Sequence, residues 1–296
     1  MKSRFILPLI CIPLLIVSIG CAIPTSDPIS VLSSGSPFPV TGEPSADPSA
    51  EKDAFVVKLT SEFSELTMSI DDDPEAEILS VYEYEDEEGY HYLSLVVKDQ
   101  GVSYAFDAEG SYFVSLCVSD LCTDNMYLFF TIDYASADFN TYCLTYQNGH
   151  YETLSFKNGD SVTPSFYGEV AAIEKDGSLI LRSFEDFFST WICERKYRLS
   201  NDLISPTEEK ETILNSTPLT TACSIPATLI TDGTERTITL EVGTNLYPTH
   251  LEGKNTFHFT LEDGQEGYLL ASRENYEWYI DGISEYTCFT EVNYAG

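Results

Sequence analysis

The sequence predicts an all-β fold, an antiparallel meander followed by a smaller β segment, and three observations carry that reading. Runs rich in Tyr, Phe, Val and Thr alternate with polar residues at period two over most of the chain after residue 55, the pattern of half-buried strands. Asn-Gly and Asp-Gly pairs at 148–149, 158–159, 176–177, 232–233 and 263–264 punctuate those runs, and such pairs accept the positive φ of tight hairpin corners. Helical spacing of apolar residues is confined to one segment, Phe184, Phe187, Phe188, Trp191 and Ile192.

Residues 1–20 read as a signal peptide. Lys2 and Arg4 form a positive n-region, and the apolar run from Phe5 to Ile19 falls short of the ~20 residues that a spanning helix needs. The stretch Ser18-Ile19-Gly20-Cys21 resembles a lipobox, with Ser18 where Leu is usual. That resemblance implies lipidation at Cys21 and a place on the extracellular face of the cell membrane; the alternative is an ordinary secreted or signal-anchored chain.

Residues 21–54 are rich in Ser, Thr, Ala and Pro, with prolines at 24, 28, 37, 39, 44 and 48, and offer little to bury. They read as a disordered tether, with a span on the order of 30 Å.

The meander is expected over 55–206. Examples of its strands are YHYLSLVV (90–97), GVSYAF (101–106), SYFVSLCV (111–118), MYLFFTIDY (126–134), TYCLTY (141–146) and SLILRSF (178–184). For the segment with helical spacing the preferred reading is a loop to Ser189 and then a strand, because Trp191, Cys193, Tyr197 and Leu199 also alternate. The polar stretch from Pro206 to Lys210 marks a boundary. Residues 207–296 then hold short strands around PATLITDGTERTITLEVG (226–243), TFHFTLEDGQEGYLLAS (256–272) and YIDGISEYTCF (279–289).

Composition excludes several partners. Fifteen basic residues against 48 acidic ones give a net charge of −33; nucleic acid needs Lys and Arg to displace counterions, and anionic lipid headgroups repel such a surface. Contact with the membrane is therefore expected through the lipid alone. Beyond Cys11 and Cys21 stand Cys117, Cys122, Cys143, Cys193, Cys223 and Cys288, an even number that permits disulfides outside the cytoplasm. The local pairings on offer are Cys117 with Cys122 and Cys223 with Cys288. With no CxxC, and with His91, His150, His250 and His258 scattered away from the thiols, zinc is not expected.

No GxSxG, HExxH, Walker A or GxGxxG motif occurs, and the SxxK match at Ser49–Lys52 lies in the tether. Among 48 acids no carboxylate pair stands out. The aromatics read chiefly as core. Trp278, in ENYEWYIDG, is the better ligand candidate because polar neighbours and a glycine suggest a loop edge.

The order DLCTDNMYLFFTIDYASADFNTYCLTYQNGHYETL, GEVAAIEKDGSLILRS, TLEDGQEGYLLAS, YIDGISEY and a final NYAG resembles uncharacterised lipoproteins of Gram-positive gut anaerobes. In these, propeller-like VCBS or FG-GAP-type β repeats precede a small SH3-like barrel. The resemblance implies propeller-like blades over 55–206, an SH3-like domain over 207–296 and an extracellular location, and it implies no activity. Repeats of this kind often carry a D-x-D-x-D-G calcium loop. The matching stretch runs from Asp120 to Asp124 and Asn125, with Cys122 at the third ligand position and Asn125 in place of glycine, so this copy reads as degraded and calcium as a weak expectation.

The expected function is that of a membrane-tethered binding or scaffolding module of the cell envelope, its partners being cell-wall peptides or envelope proteins. The alternative is an envelope hydrolase of unrecognised type. A solute-binding lipoprotein of a transporter is disfavoured, because those are α/β folds.

Overall fold

Strands that alternate apolar and polar residues must bury one face, and in the computed structural model they do so in three hydrophobic clusters. The structure describes residues 54–294 apart from 55, 61–64, 69, 71–75, 98–99, 106–111, 124, 135–137, 148–149 and 216. The signal segment, Cys21, the tether up to residue 53 and the Asn148-Gly149 corner lie outside the described residues. Residues 50–296 belong to one compact unit.

The described chain is all-β, with large antiparallel sheets and, among the described residues, a single helical turn, Glu285–Cys288. The strands anticipated from alternation are present as His91–Val97, Gln100–Ala105, Tyr112–Ser119, Tyr127–Asp133, Phe139–Gln147 and Leu179–Asp186.

Tyr127–Asp133 is buried along its whole length because both of its faces are covered. Leu128, Phe130 and Ile132 meet Leu79, Leu93, Leu95 and Val97 of a four-stranded sheet formed by Glu65–Met68, Glu77–Glu85, His91–Val97 and Gln100–Ala105. Tyr127 and Phe129 point the other way, into a cluster with Leu154, Phe156, Phe166, Leu181 and Tyr197. Each such side chain contributes roughly 1.5–3 kcal/mol on burial. The buried hydroxyl of Thr131 is matched: Thr131 donates to Thr141 Oγ1 (2.8 Å), which donates to the Gly168 carbonyl (2.7 Å).

The segment with helical spacing is a hairpin. Leu179–Asp186 pairs with Thr190–Ser200, Asp186 facing Thr190, and Phe188 turns the chain at φ 62°. Trp191 donates its indole N–H to the Phe187 carbonyl (2.7 Å). Phe187, Phe188 and Trp191 enter the third cluster beside Ile225, Leu246, Phe257, Phe259, Leu269 and Trp278.

The polar stretch after Pro206 is bracketed by paired strands. Leu203–Pro206 pairs with Thr190–Ser200 and, in parallel, with His150–Asn158; Lys210–Ile213 pairs with Thr190–Ser200 and with Asn245–Glu252. Beyond it Thr234–Leu240, Ile225–Thr231, Glu266–Leu270, Thr256–Thr260 and Asn245–Glu252 lie side by side, each antiparallel to the next. The expected small closed barrel does not form. Thr234–Leu240 pairs on one side only among the described residues, and its exposed Thr234, Glu235, Arg236 and Thr237 are the polar side chains that keep an open edge in solution.

Candidate functional site

The inner face of the Leu179–Asp186/Thr190–Ser200 hairpin changes character along its length. Leu179, Leu181 and Tyr197 belong to one cluster, Trp191 and Cys193 to another. Between and beside them the same face carries Ser183, Glu185 and Arg195, because residues i and i+2 of a strand share a face. Glu211 on Lys210–Ile213 joins them: Arg195 donates to its Oε1 (2.7 Å) and to the Glu208 carbonyl (2.7 Å).

This polar band opens into a cleft of about 880 Å³. Its walls carry Lys157, Arg195, Lys254 and Arg273 against Asp160, Glu185, Asp186, Glu208, Glu209 and Glu211. Lys254 is paired with Asp160 (3.1 Å) and Arg195 with Glu211; Lys157 and Arg273 then stand against Glu185, Asp186, Glu208 and Glu209, so acids still outnumber cations, with Glu208 and Glu209 the exposed ones next to each other on the rim. Deeper in, burial, followed by the nearby Glu211 carboxylate, pushes the Glu185 carboxyl up to about 7, and Ser183, which donates to it (2.9 Å), offsets part of this. Burial also raises Glu211, with Arg195 opposing. A half-buried acid that exchanges its proton near neutrality can bind or transfer a proton there.

Trp278 does reach the cleft, but its setting differs from the expected loop edge. It lies on the Glu277–Ile280 strand and is 5% exposed. Phe187 stacks on its ring (centroids 3.9 Å apart), the Arg273 guanidinium sits 5.3 Å from the ring centre, and its indole N–H is donated to the Asp186 carbonyl (3.0 Å). A buried ring so occupied packs the core and is not a free stacking platform for a sugar.

Asp120 is buried, and its Oδ1 accepts the Cys122 amide (3.1 Å), closing a turn; Asp124 lies outside the described residues. The six cysteines from Cys117 to Cys288 are thiols. Cys122 donates to the Lys175 carbonyl (3.1 Å), and Cys288 donates to the Ile283 carbonyl (3.5 Å).

Two of the four scattered histidines come together. His250 and His258 face each other across the Asn245–Glu252/Thr256–Thr260 hairpin with stacked rings 3.9 Å apart. Glu252 Oε2 lies 3.0 Å from His258 Nε2. Burial, then His258 and Lys210, pushes the His250 imidazole down to about 4. Spacing in HxE…H around a hairpin was the signal that could have revealed this group. The comparable signal for the cleft was the charged residue Arg195 at an inward position of an otherwise apolar alternation. Compared with protein-family models, with curated proteins and with solved structures, the chain finds no match.

Proposed function

We propose that the chain is a lipid-anchored binding module of the cell envelope, held through Cys21 and its proline-rich tether, and that its cleft takes a cationic segment of a cell-wall peptide or envelope protein. The single observation that carries this reading is the cleft of about 880 Å³ with Glu208 and Glu209 at its rim and Glu185 and Glu211 within. Acids on a rim steer an amine-bearing partner by complementary charge. The signal-like first 20 residues and the net charge of −33 support the location and argue against phosphate polymers as ligands. The finer fold assignment of propeller-like blades over 55–206 belongs to the same proposal and rests on the sequence resemblance.

Isothermal titration of the mature protein with wall peptides that carry a free side-chain amine tests the reading. Binding should weaken with salt and fall about tenfold in Glu208→Lys/Glu209→Lys. Peptides that fail to bind, or bind the reversed variant equally well, sink it.

A second reading, an envelope hydrolase, is favoured by one observation: the acid Glu185, raised to about 7, beside Glu211 and Arg195. Turnover of wall fragments that survives chelation and repurification and disappears in Glu185→Gln would put this reading first.

A further inference from the structure

We propose that His250, Glu252 and His258 form a binding site for a late first-row divalent cation, with zinc as the reference ion. All three project from one hairpin onto one face. His250 and Glu252 are two apart on Asn245–Glu252, and His258 lies opposite His250 on Thr256–Thr260. The other face of the same strands is the apolar one, where Leu251, Phe257 and Phe259 enter the core, so the register that folds the sheet also sets the three donors together.

Their ligand atoms lie within 4.8 Å of one another. Donors at the usual ~2.0–2.2 Å around a tetrahedral ion sit roughly 3.4 Å apart. The His258–Glu252 pair, at 3.0 Å, is already that close, and the His250 ring, stacked on His258, has to turn so that its nitrogen faces the ion in the plane of the ring. The pairing register slips between Pro248 and His250, and a bulge of this kind re-aims side chains. It leaves Thr249 beside its neighbour, Oγ1 lying 3.1 Å from His250 Nδ1, a hydrogen bond that orients the ring as those of metal-bound imidazoles are oriented.

Two imidazoles and one carboxylate suit zinc, nickel or copper and offer too few oxygens for calcium or magnesium. Access is open on the Glu252 side, whose side chain is 53% exposed, while that of His258 is 13% exposed. Tyr268, its ring 5.5 Å from His258 and its hydroxyl donated to Glu235 (3.2 Å), closes one flank. Lys210, opposite Glu252 in register, is a neighbouring cation that opposes the ion. None of the three donors lines the cleft.

The test uses the full mature protein stripped with chelator, titrated with Zn²⁺ by calorimetry and with Co²⁺ by visible absorption. One tight equivalent is expected above the weak background of surface acids. His250→Gln and His258→Gln should each abolish the Co²⁺ bands, and Thr249→Val should weaken binding about 10-fold or more. His150→Gln, which removes an exposed imidazole also 3.0 Å from a carboxylate, that of Glu152, should leave the tight equivalent unchanged. Absence of a tight equivalent, or one that survives His258→Gln, overturns the proposal. If the glutamine variants do not fold, acylation of histidines in the wild-type protein decides: Zn²⁺ must protect His250 and His258 and not His150, and equal labelling overturns the site.

Discussion

Trp278 stacks on Phe187 with ring centroids 3.9 Å apart, which ties the Glu277–Ile280 strand to a turn 91 residues earlier in the sequence. The indole N–H, donated to the Asp186 carbonyl, fixes the same junction. Trp278→Ala should therefore destabilise the folded protein by roughly 3–5 kcal/mol, read as a shift of the urea midpoint. A variant that melts like wild type would mean that the ring does not pack as described. By the same logic a fragment starting at residue 207 lacks Phe187, Phe188 and Trp191 and should not melt cooperatively.

Stability should fall as pH rises from about 4.5 to about 7. Glu185 titrates at its ordinary 4.5 when exposed and at about 7 when folded, so between those values the folded state holds the extra proton, and deprotonation costs stability as pH increases. Its contribution is fully present below 4.5 and lost above 7. Glu185→Gln should remove that loss and leave the protein more stable than wild type at pH 8 by on the order of 2 kcal/mol. Denaturant titrations at pH 5 and pH 8 give the answer; an unchanged slope in the variant would place the titration elsewhere.

Two Asp-Gly corners of the same sequence should respond unequally to alanine. A Cβ on Gly177 would lie 2.4 Å from the Leu121 carbonyl oxygen, whereas one on Gly233 meets nothing within 4 Å, and both have positive φ (76° and 73°). Gly233→Ala should cost about 1–2 kcal/mol from the left-handed backbone alone. Gly177→Ala should cost more, because the 120–123 turn must also move. Equal midpoint shifts would contradict the packing of these two turns.

Cys21→Ser should release the protein into the medium, since the anchor is proposed to be the lipid on that thiol. Retention in the detergent-soluble membrane fraction would mean that the apolar run from Phe5 to Ile19 is itself the anchor.

Alternation was enough to find many of the strands and much of the core, as in SLILRSF and around Trp191 and Cys193, but it did not single out Glu77–Glu85, His150–Asn158 or Asn245–Glu252. It did not show which strands pair across the chain. The parallel contact of Leu203–Pro206 with His150–Asn158 depends on the whole sheet. The cleft was hidden for a related reason. Glu185, Arg195 and Glu211 are ordinary members of an acidic, polar sequence until three strands bring them to one face. Trp278 misled in the opposite sense, because a polar neighbourhood in sequence is compatible with a strand whose alternate residues are buried. His250 and His258 look unrelated at eight residues apart, and become neighbours once Glu252 pairs with Thr256.

The binding role itself is tested most directly in cells that make the full-length chain, with a photo-cross-linking residue at position 209, on the exposed cleft rim, and, for comparison, at position 233, on an open corner. Position 209 should give adducts to a wall peptide or an envelope protein that free amine-bearing wall peptide suppresses, and position 233 should give few. Equal labelling from both positions, or adducts from position 209 that the peptide does not suppress, would contradict it.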